Sequence, residues 1–414
     1  MCTSFRLTAS DGATTIGRTM EFPNLLQARI ALVPRDTGGG SVGPNGAGKS
    51  WTSRYGFVGV DVFGDPQKLT DGMNEAGLYV NLQYMPGFCD YEPTEGVPAD
   101  RLVAPPDLVG MLLGACSSVT EVRTAMASTV VWSSVFGPFG YAPPVHVVVH
   151  DKQGNCVVIE WAQGHQVVFD NPYGVATNSP HFDWHLINLR NYLKLDTTNP
   201  KPVTIDGVTL SPMGQGGGMT GLPGDSTSPS RFVRAVAYTS TLRPIATGAD
   251  AEVAALHVLD NFDIPWGMDR ENDDRSNDDH TLWSTIANLT DGAYILRTYL
   301  DPVPRRIQLA DIDFAASSVM TVPLPSAAEF PRMHLSHSHG HGVTGGRVGS
   351  GTMVECRSAR LMPPTCPAVG GPRSALTVPP WTGPDATCSP GTPSRIGATT
   401  RSSTWLRCSR PWTS

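Results

Sequence analysis

Cys2 stands directly behind the initiator methionine. Methionine removal is favoured when the next residue is small, so the mature chain is expected to open on cysteine. Such a residue carries a thiol and a free α-amine on one Cα. Unperturbed, the thiol titrates near ~8.5 and the amine near ~7.7–8.0. The amine can therefore serve as base for its own side chain near neutral pH, directly or through a water. One residue then supplies both nucleophile and base. On position alone, an ordinary terminal cysteine is the plainer reading. A rival chemistry is offered by GPNGAGKS, residues 43–50, which satisfies the phosphate-loop pattern G-x-x-x-x-G-K-[ST] at every fixed position.

A phosphate loop needs a buried strand before it and a helix after it, because the helix N-terminus supplies N–H groups and a positive dipole end. Upstream, VPRDTGGGSV combines proline, charge and a glycine run and reads as loop. Downstream, WTSRYGFVGVDVFG is β-branched and aromatic without a 3.6-residue apolar period, and reads as strand. HVVVHD is the nearest candidate for a magnesium-holding strand end, but DKQG behind it looks like a hairpin turn. A glycine-rich hairpin tip with Lys49 as an exposed turn residue is expected, and nucleotide binding stays as the alternative.

The elements that must position Cys2 are mostly strands. CTSFRLTA, a turn at SDG, and ATTIGRTMEF make a hairpin; GLYVNLQY, VHVVVHD, CVVIEWA and HQVVFD are further strands. Helices are expected at 105–128, 180–193, 229–240 and 249–260. This predicts two sheets with helices packed outside them. With 40% hydrophobic and only 16% charged residues, 43 glycines and 36 prolines, the composition suits a loop-rich, strand-rich fold and not a helical bundle. A net charge of −7 argues against a nucleic-acid partner. No apolar run approaches the ~18 residues of a membrane span. No charged and apolar leader precedes MCTSF, so a cytoplasmic location is expected.

The chain changes character near residue 333. Residues 333–414 hold eight arginines, no lysine and two acids, and are rich in Ser, Thr, Pro and Gly. Such a segment cannot bury enough apolar surface to offset its ordering entropy, so a disordered tail is expected behind one catalytic domain over 1–332. The tail also holds four of the eight cysteines and three tryptophans, which would fit a shifted reading frame; an intact frame on genomic re-reading would remove that idea. The tract HLSHSHGHG could bind metal but has no carboxylate beside it. DRENDDRSNDDH lacks the glycine and final glutamate of a calcium loop and reads as a solvated acidic loop. The cysteines form no C-x-x-C pair, which disfavours zinc.

Five ordered blocks carry a resemblance: MCTSFRL, IGRTMEF, DGMNEAGLYVNLQYMPG, NPYGVATNSPHFDWHLINLRNY and GLPGDSTSPSRFVRA, with TLWSTIANL and YILRTYLD as a weaker sixth. From Cys2 to about Phe314 the chain resembles the choloylglycine hydrolase family, which contains bile salt hydrolases and penicillin V acylases. The resemblance implies an α+β fold, the N-terminal nucleophile hydrolase αββα sandwich of two stacked antiparallel sheets flanked by helices. It implies Cys2 as nucleophile and Arg18 as a cation favouring thiolate. Glu21 stands where the family usually has Asp, whose carboxylate orients the α-amine; a glutamate that merely pairs with Arg18 is the alternative. Asn178 matches the oxyanion donor, or it caps a turn before Pro180. Tyr84 would give a second donor through its backbone N–H. Arg231 matches a second active-site arginine, or is a helix-start arginine on a loop carbonyl. By block position, Met20, Phe22, Tyr84, Met85 and Phe136 would line the acyl pocket.

The implied reaction cuts a linear amide with a bulky apolar acyl group, needing no metal or organic cofactor. GQGGGMTGLPGD, HLINLRNYLKL and Tyr84 tilt the expected substrate toward penicillin V or an acyl-homoserine lactone and away from conjugated bile salts. The partner is then a small-molecule amide, with neither nucleic acid nor membrane, and a homotetramer is an assembly common in the family. Because Glu21 departs from the pattern, a catalytically silent binding protein of the same fold stays open.

Overall fold

The structure, a computed structural model, describes residues 1–23, 26–270, 273, 278–328 and 330–332. The histidine tract, the tail and most of the acidic loop at 271–277 lie outside the described residues. Two antiparallel sheets organise the rest. The smaller runs in the order Cys2–Thr8, Thr14–Phe22, Asp278–Asn288, Ala293–Thr298, Arg305–Gln308, with Asp269–Arg270 pairing beside it on Asp278–Asn288. The larger has eight strands: His165–Asp170, Cys156–Ala162, Val145–Asp151, Leu78–Tyr84, Asp65–Asn74, Phe57–Val62, Arg29–Val33 and Met320–Pro323.

Side chains alternate between the faces of a strand, and the sequence uses both faces. In Leu78–Tyr84, Leu78 and Val80 join an apolar cluster with Leu108, Leu112 and Val122 of the helices Leu108–Ala115 and Val119–Ala127. Tyr79 points the other way, into a cluster with Cys2, Ile16, Met20 and Trp283 of the smaller sheet. On the far side of that sheet, Phe5 and Ile286 pack with Phe232 of Ser228–Thr241 and Ala255 of Gly248–Leu259. Helices therefore cover the outside and the sheets meet inside, the αββα sandwich of the N-terminal nucleophile hydrolases. Close approach explains one glycine: a Cβ on Gly17 would lie 2.3 Å from the Phe5 ring, so Phe5 can cross the hairpin only over a bare backbone.

The stretch 43–50 forms a hairpin between the strands Gly38–Gly43 and Gly46–Thr52. No helix N-terminus follows Lys49, so the anion-cradling geometry that a phosphate loop needs is missing. Two details differ from expectation. The glycine run is a strand, because the Trp51 ring lies where a Cβ on Gly39 would stand. Lys49 is half-buried within the second strand and is not an exposed turn residue. No helix among the described residues is long and apolar enough to cross a membrane.

Candidate active site

The first hairpin places the chemistry. Cys2 pairs across the strands with Met20, and Arg18 lies two residues earlier on the second strand. A two-residue step keeps Arg18 and Met20 on one face. Arg18 Nη2 consequently reaches Cys2 Sγ at 3.7 Å and Met20 Sδ at 3.2 Å, and donates to the Leu82 carbonyl at 3.0 Å. Cys2 itself is only 2% exposed.

Arg18 is held from behind by Asp71 of the larger sheet, Nη1 to Oδ1 at 2.7 Å, with both side chains buried. The other Asp71 oxygen accepts from Tyr79, Thr285 and Tyr294 hydroxyls at 3.0, 2.9 and 2.8 Å. Burial, then Asp71, push both tyrosine hydroxyls well above their ordinary pKa, so they remain donors. Burial alone works against charge on Arg18, but Asp71 and then Cys2 more than offset it, and the guanidinium keeps its proton more firmly than in water. Asp71 was not singled out in the sequence. Its signal was an acid in the otherwise apolar-facing stretch LTDGM, which a buried strand tolerates only with partners.

Asn178 and Arg231 close the other side. The Cys2 N–H donates to Asn178 Oδ1 at 2.8 Å, and Arg231 Nη2 donates to the same oxygen at 2.7 Å. Arg231 Nη1 donates to the Cys2 carbonyl and to Thr3 Oγ1. Its Nε donates to the Ser226 carbonyl, so the arginine also makes the helix-start contact. Burial lowers the Arg231 pKa, opposed by Glu21 and Cys2. Asn178 Nδ2 donates to the Tyr84 carbonyl at 2.6 Å. A side-chain amide has two N–H bonds, so the second is left for another acceptor. Tyr84 thus meets Asn178 through its carbonyl.

Glu21 is buried and lines the same cavity as Cys2. Its Oε1 accepts from Thr281 Oγ1 at 3.0 Å, and Oε2 has no partner. Its contact with the terminus is through the backbone: Met1 N–H₃⁺ donates to the Glu21 carbonyl at 2.7 Å, and the Glu21 N–H returns a bond to Met1. It forms no ion pair with Arg18. Burial pushes the Glu21 carboxyl above its ordinary value, although the terminal ammonium and Arg231 pull it down. A carboxyl raised in the folded state costs nothing below the unfolded pKa and destabilises as pH rises through the folded one. Glu21→Gln, which removes the buried negative charge, should therefore unfold at higher urea than wild type at pH 7. The gain should vanish near pH 4. Urea melts at both pH values check this, and a loss of stability at pH 7 would contradict it.

An apolar cavity opens onto Cys2. Of the expected lining residues, Met20, Phe22, Tyr84 and Phe136 are there. Met85 is not: it is fully buried with its N–H on the Pro144 carbonyl, because the strand ends at Tyr84 and turns its next side chain into the core. Sequence reading missed Phe63, Leu82 and above all Phe139, whose ring packs on Phe22, Phe63, Phe136 and Tyr141. The loop FGPFGY holds the signal, two aromatics spaced by Gly and Pro. A wider, more polar mouth adjoins, lined by Asn178, Arg231, Asp269, Arg270 and Asp279.

The fold is that of the N-terminal nucleophile hydrolases, and the sequence matches linear amide hydrolases. Residues 2–322 match the model of the linear amide C–N hydrolases, choloylglycine hydrolase family, and the chain belongs to that family. It is 32% identical to a bile salt hydrolase/transferase of Bifidobacterium longum over 78% of this chain and 99% of the relative. It is 24% identical to the penicillin V acylase of Pectobacterium atrosepticum over 78% of this chain and 84% of that one. The solved mutant C2A conjugated bile acid hydrolase from Clostridium perfringens superposes with a TM-score of 0.72 at 26% identity, covering 81% of this chain and all of that one. The chain is a linear amide hydrolase of the bile salt hydrolase and penicillin V acylase type.

Proposed function

We infer that Cys2, freed of Met1, hydrolyses the amide of a bulky apolar acyl group through a thioester. The observation that carries this reading is the position of Cys2 Sγ, at the end of the apolar cavity and 3.7 Å from the Arg18 guanidinium. The acyl group enters the cavity among Phe22, Phe136 and Phe139, and the polar mouth takes the leaving amine. The thiolate attacks the carbonyl carbon, and the second N–H of Asn178 stabilises the oxyanion. Tyr84, accepting the first, orients that amide. The α-amine, now the nitrogen that rests on Asn178 Oδ1, protonates the leaving amine. It then takes a proton from water, which cleaves the thioester, releases the acid and restores Cys2. Arg231 fixes the Cys2 carbonyl, and Glu21 shares the terminus with it.

The substrate class spans conjugated bile salts, penicillin V and long-chain acyl-homoserine lactones. Identity is higher to the bile salt hydrolase than to the penicillin V acylase, which lends no weight to the tilt read from GQGGGMTGLPGD. Amine release from glycocholate, taurocholate, penicillin V and a long-chain acyl-homoserine lactone, with intact mass confirming loss of Met1, tests the reading. Turnover of one of them supports it; silence on all four favours a binding protein of the same fold.

Phe139→Ala should raise KM for the preferred bulky acyl substrate about 10-fold, since it removes one aromatic wall worth ~1–2 kcal/mol. The kcat should stay within about twofold, because no contact at the reacting carbonyl is lost. Steady-state kinetics decide: a fall in kcat at unchanged KM would place Phe139 outside the acyl site.

A further inference from the structure

Behind Asn178 lies a buried polar network that the reaction as described does not use. Glu160, wholly buried, accepts from His146 Nδ1 at 3.2 Å and the Phe182 N–H at 3.0 Å on one oxygen, and from His181 Nδ1 at 2.9 Å on the other. The opposite nitrogen of His146, Nε2, lies 2.8 Å from the Thr177 carbonyl and 3.3 Å from Gln83 Oε1. Gln83 Nε2 in turn donates to Ser4 Oγ at 2.8 Å. His185 Nε2 meets the next carbonyl, that of Asn178, at 3.0 Å, and the Asn178 N–H donates to Ser228 Oγ at 2.9 Å.

The two histidines face different demands. A neutral imidazole has one donor and one acceptor nitrogen. His185 needs only one proton, on Nε2; burial lowers its pKa to about 4, in keeping with a neutral ring. His146 has a carboxylate on one nitrogen and a carbonyl on the other, and neither can donate while Glu160 is ionised. Burial alone would push the Glu160 carboxyl up, yet its bonds to His146 and His181 hold it below the ordinary range. A buried charge of this kind persists only when paired.

We propose that Glu160 and His146 are positioning residues, with the Glu160 carboxylate holding His146 as a doubly protonated ring whose Nε2–H fixes the Thr177 carbonyl and thereby sets the Asn178 amide against Cys2. The charge reaches no reacting atom. It anchors the segment Thr177–Ser179 at the Thr177 carbonyl, while His185 anchors it at the Asn178 carbonyl. Any shift of Thr177 is passed directly to the neighbouring Asn178, on whose proposed oxyanion role this inference rests.

Histidine ¹⁵N NMR on the wild-type protein at pH 7, with the His146 signals assigned by their loss in His146→Gln, reads the ring directly. Protons on both nitrogens are expected; a neutral tautomer overturns the proposal whether or not the variants fold. The kinetic arm uses Glu160→Gln, with circular dichroism to establish its fold. The kcat should fall about 10- to 100-fold, the scale of a misplaced catalytic group, with KM within twofold. An unchanged kcat in a folded Glu160→Gln, beside wild-type turnover that Cys2→Ala abolishes, sinks this inference alone. Absence of wild-type turnover sinks the functional reading instead and leaves the NMR arm to decide the protonation.

Discussion

Cys2→Ala should release no amine above background from any substrate that the wild type hydrolyses, while keeping its fold and its affinity for the acyl group. The sulfur is the only nucleophile the account assigns to the reacting carbonyl. Removing it takes away bond formation and leaves the apolar cavity, which Met20, Phe22, Phe136 and Phe139 line independently. The expected loss is at least ~10³-fold in kcat, the scale seen when an activated nucleophile is deleted. Binding of the intact substrate, measured by calorimetry, should stay within a few-fold. Deleting one buried sulfur costs stability of only ~1 kcal/mol as a small cavity, so the melting curve distinguishes lost chemistry from lost structure. Turnover persisting in a fully processed Cys2→Ala protein would remove Cys2 from the mechanism.

The second large effect belongs to Arg18, which serves two purposes at once. It places a cation beside the sulfur, and among the described residues it is the one ionic partner of Asp71. Arg18→Met leaves Asp71 buried with hydroxyl donors alone. Breaking a buried pair from one side typically costs about 3–5 kcal/mol, because the remaining charge is uncompensated. Urea unfolding should show a loss of that order. Arg18→Met combined with Asp71→Asn should recover much of it, since the partners couple and their effects do not add. The double variant should still turn over ~10²-fold more slowly than wild type, as the charge that stabilises thiolate is gone. Recovery of stability together with activity would show that Arg18 is structural only. Recovery of neither would place its main partner elsewhere.

Much of this was readable from residue patterns, for reasons that can be named. The strands Val145–Asp151, Cys156–Ala162 and His165–Asp170 fall where VHVVVHD, CVVIEWA and HQVVFD put them. Each is a β-branched run cut by a Gly-containing turn, and those signals are local. The sequence over 105–128 predicts one helical stretch, but the helix breaks at Cys116–Ser118 and restarts at Val119. Ser118 accepts from the Glu121 N–H, and that Ser-x-x-Glu spacing is itself a helix-start signal. The glycine strand Gly38–Gly43 was not legible, because its pairing depends on Trp51 crossing Gly39 from the opposite strand.

The site divides the same way. Cys2, Arg18, Glu21, Asn178 and Arg231 were named because their blocks keep a linear order, and the structure gathers all five around the terminus. What the sequence could not show is the layer that holds them. Asp71 reaches Arg18 across the gap between the two sheets, and Glu160 and His146 act on Asn178 through a carbonyl. Those links join residues 53 and 31 positions apart through packing, and no short-range pattern encodes them. Met85 failed as a pocket residue for a related reason: one position past a strand end, its facing is set by the following turn.

The most direct test of the central claim is the identity of the covalent intermediate. Rapid mixing with the preferred substrate, acid quench and peptide mass analysis should find the acyl group on the N-terminal peptide. Its attachment should be at Cys2, with Met1 absent and the adduct removed by neutral hydroxylamine as a thioester is. Amine release with no acyl adduct on that peptide at any mixing time, or an adduct on another residue, would contradict the account.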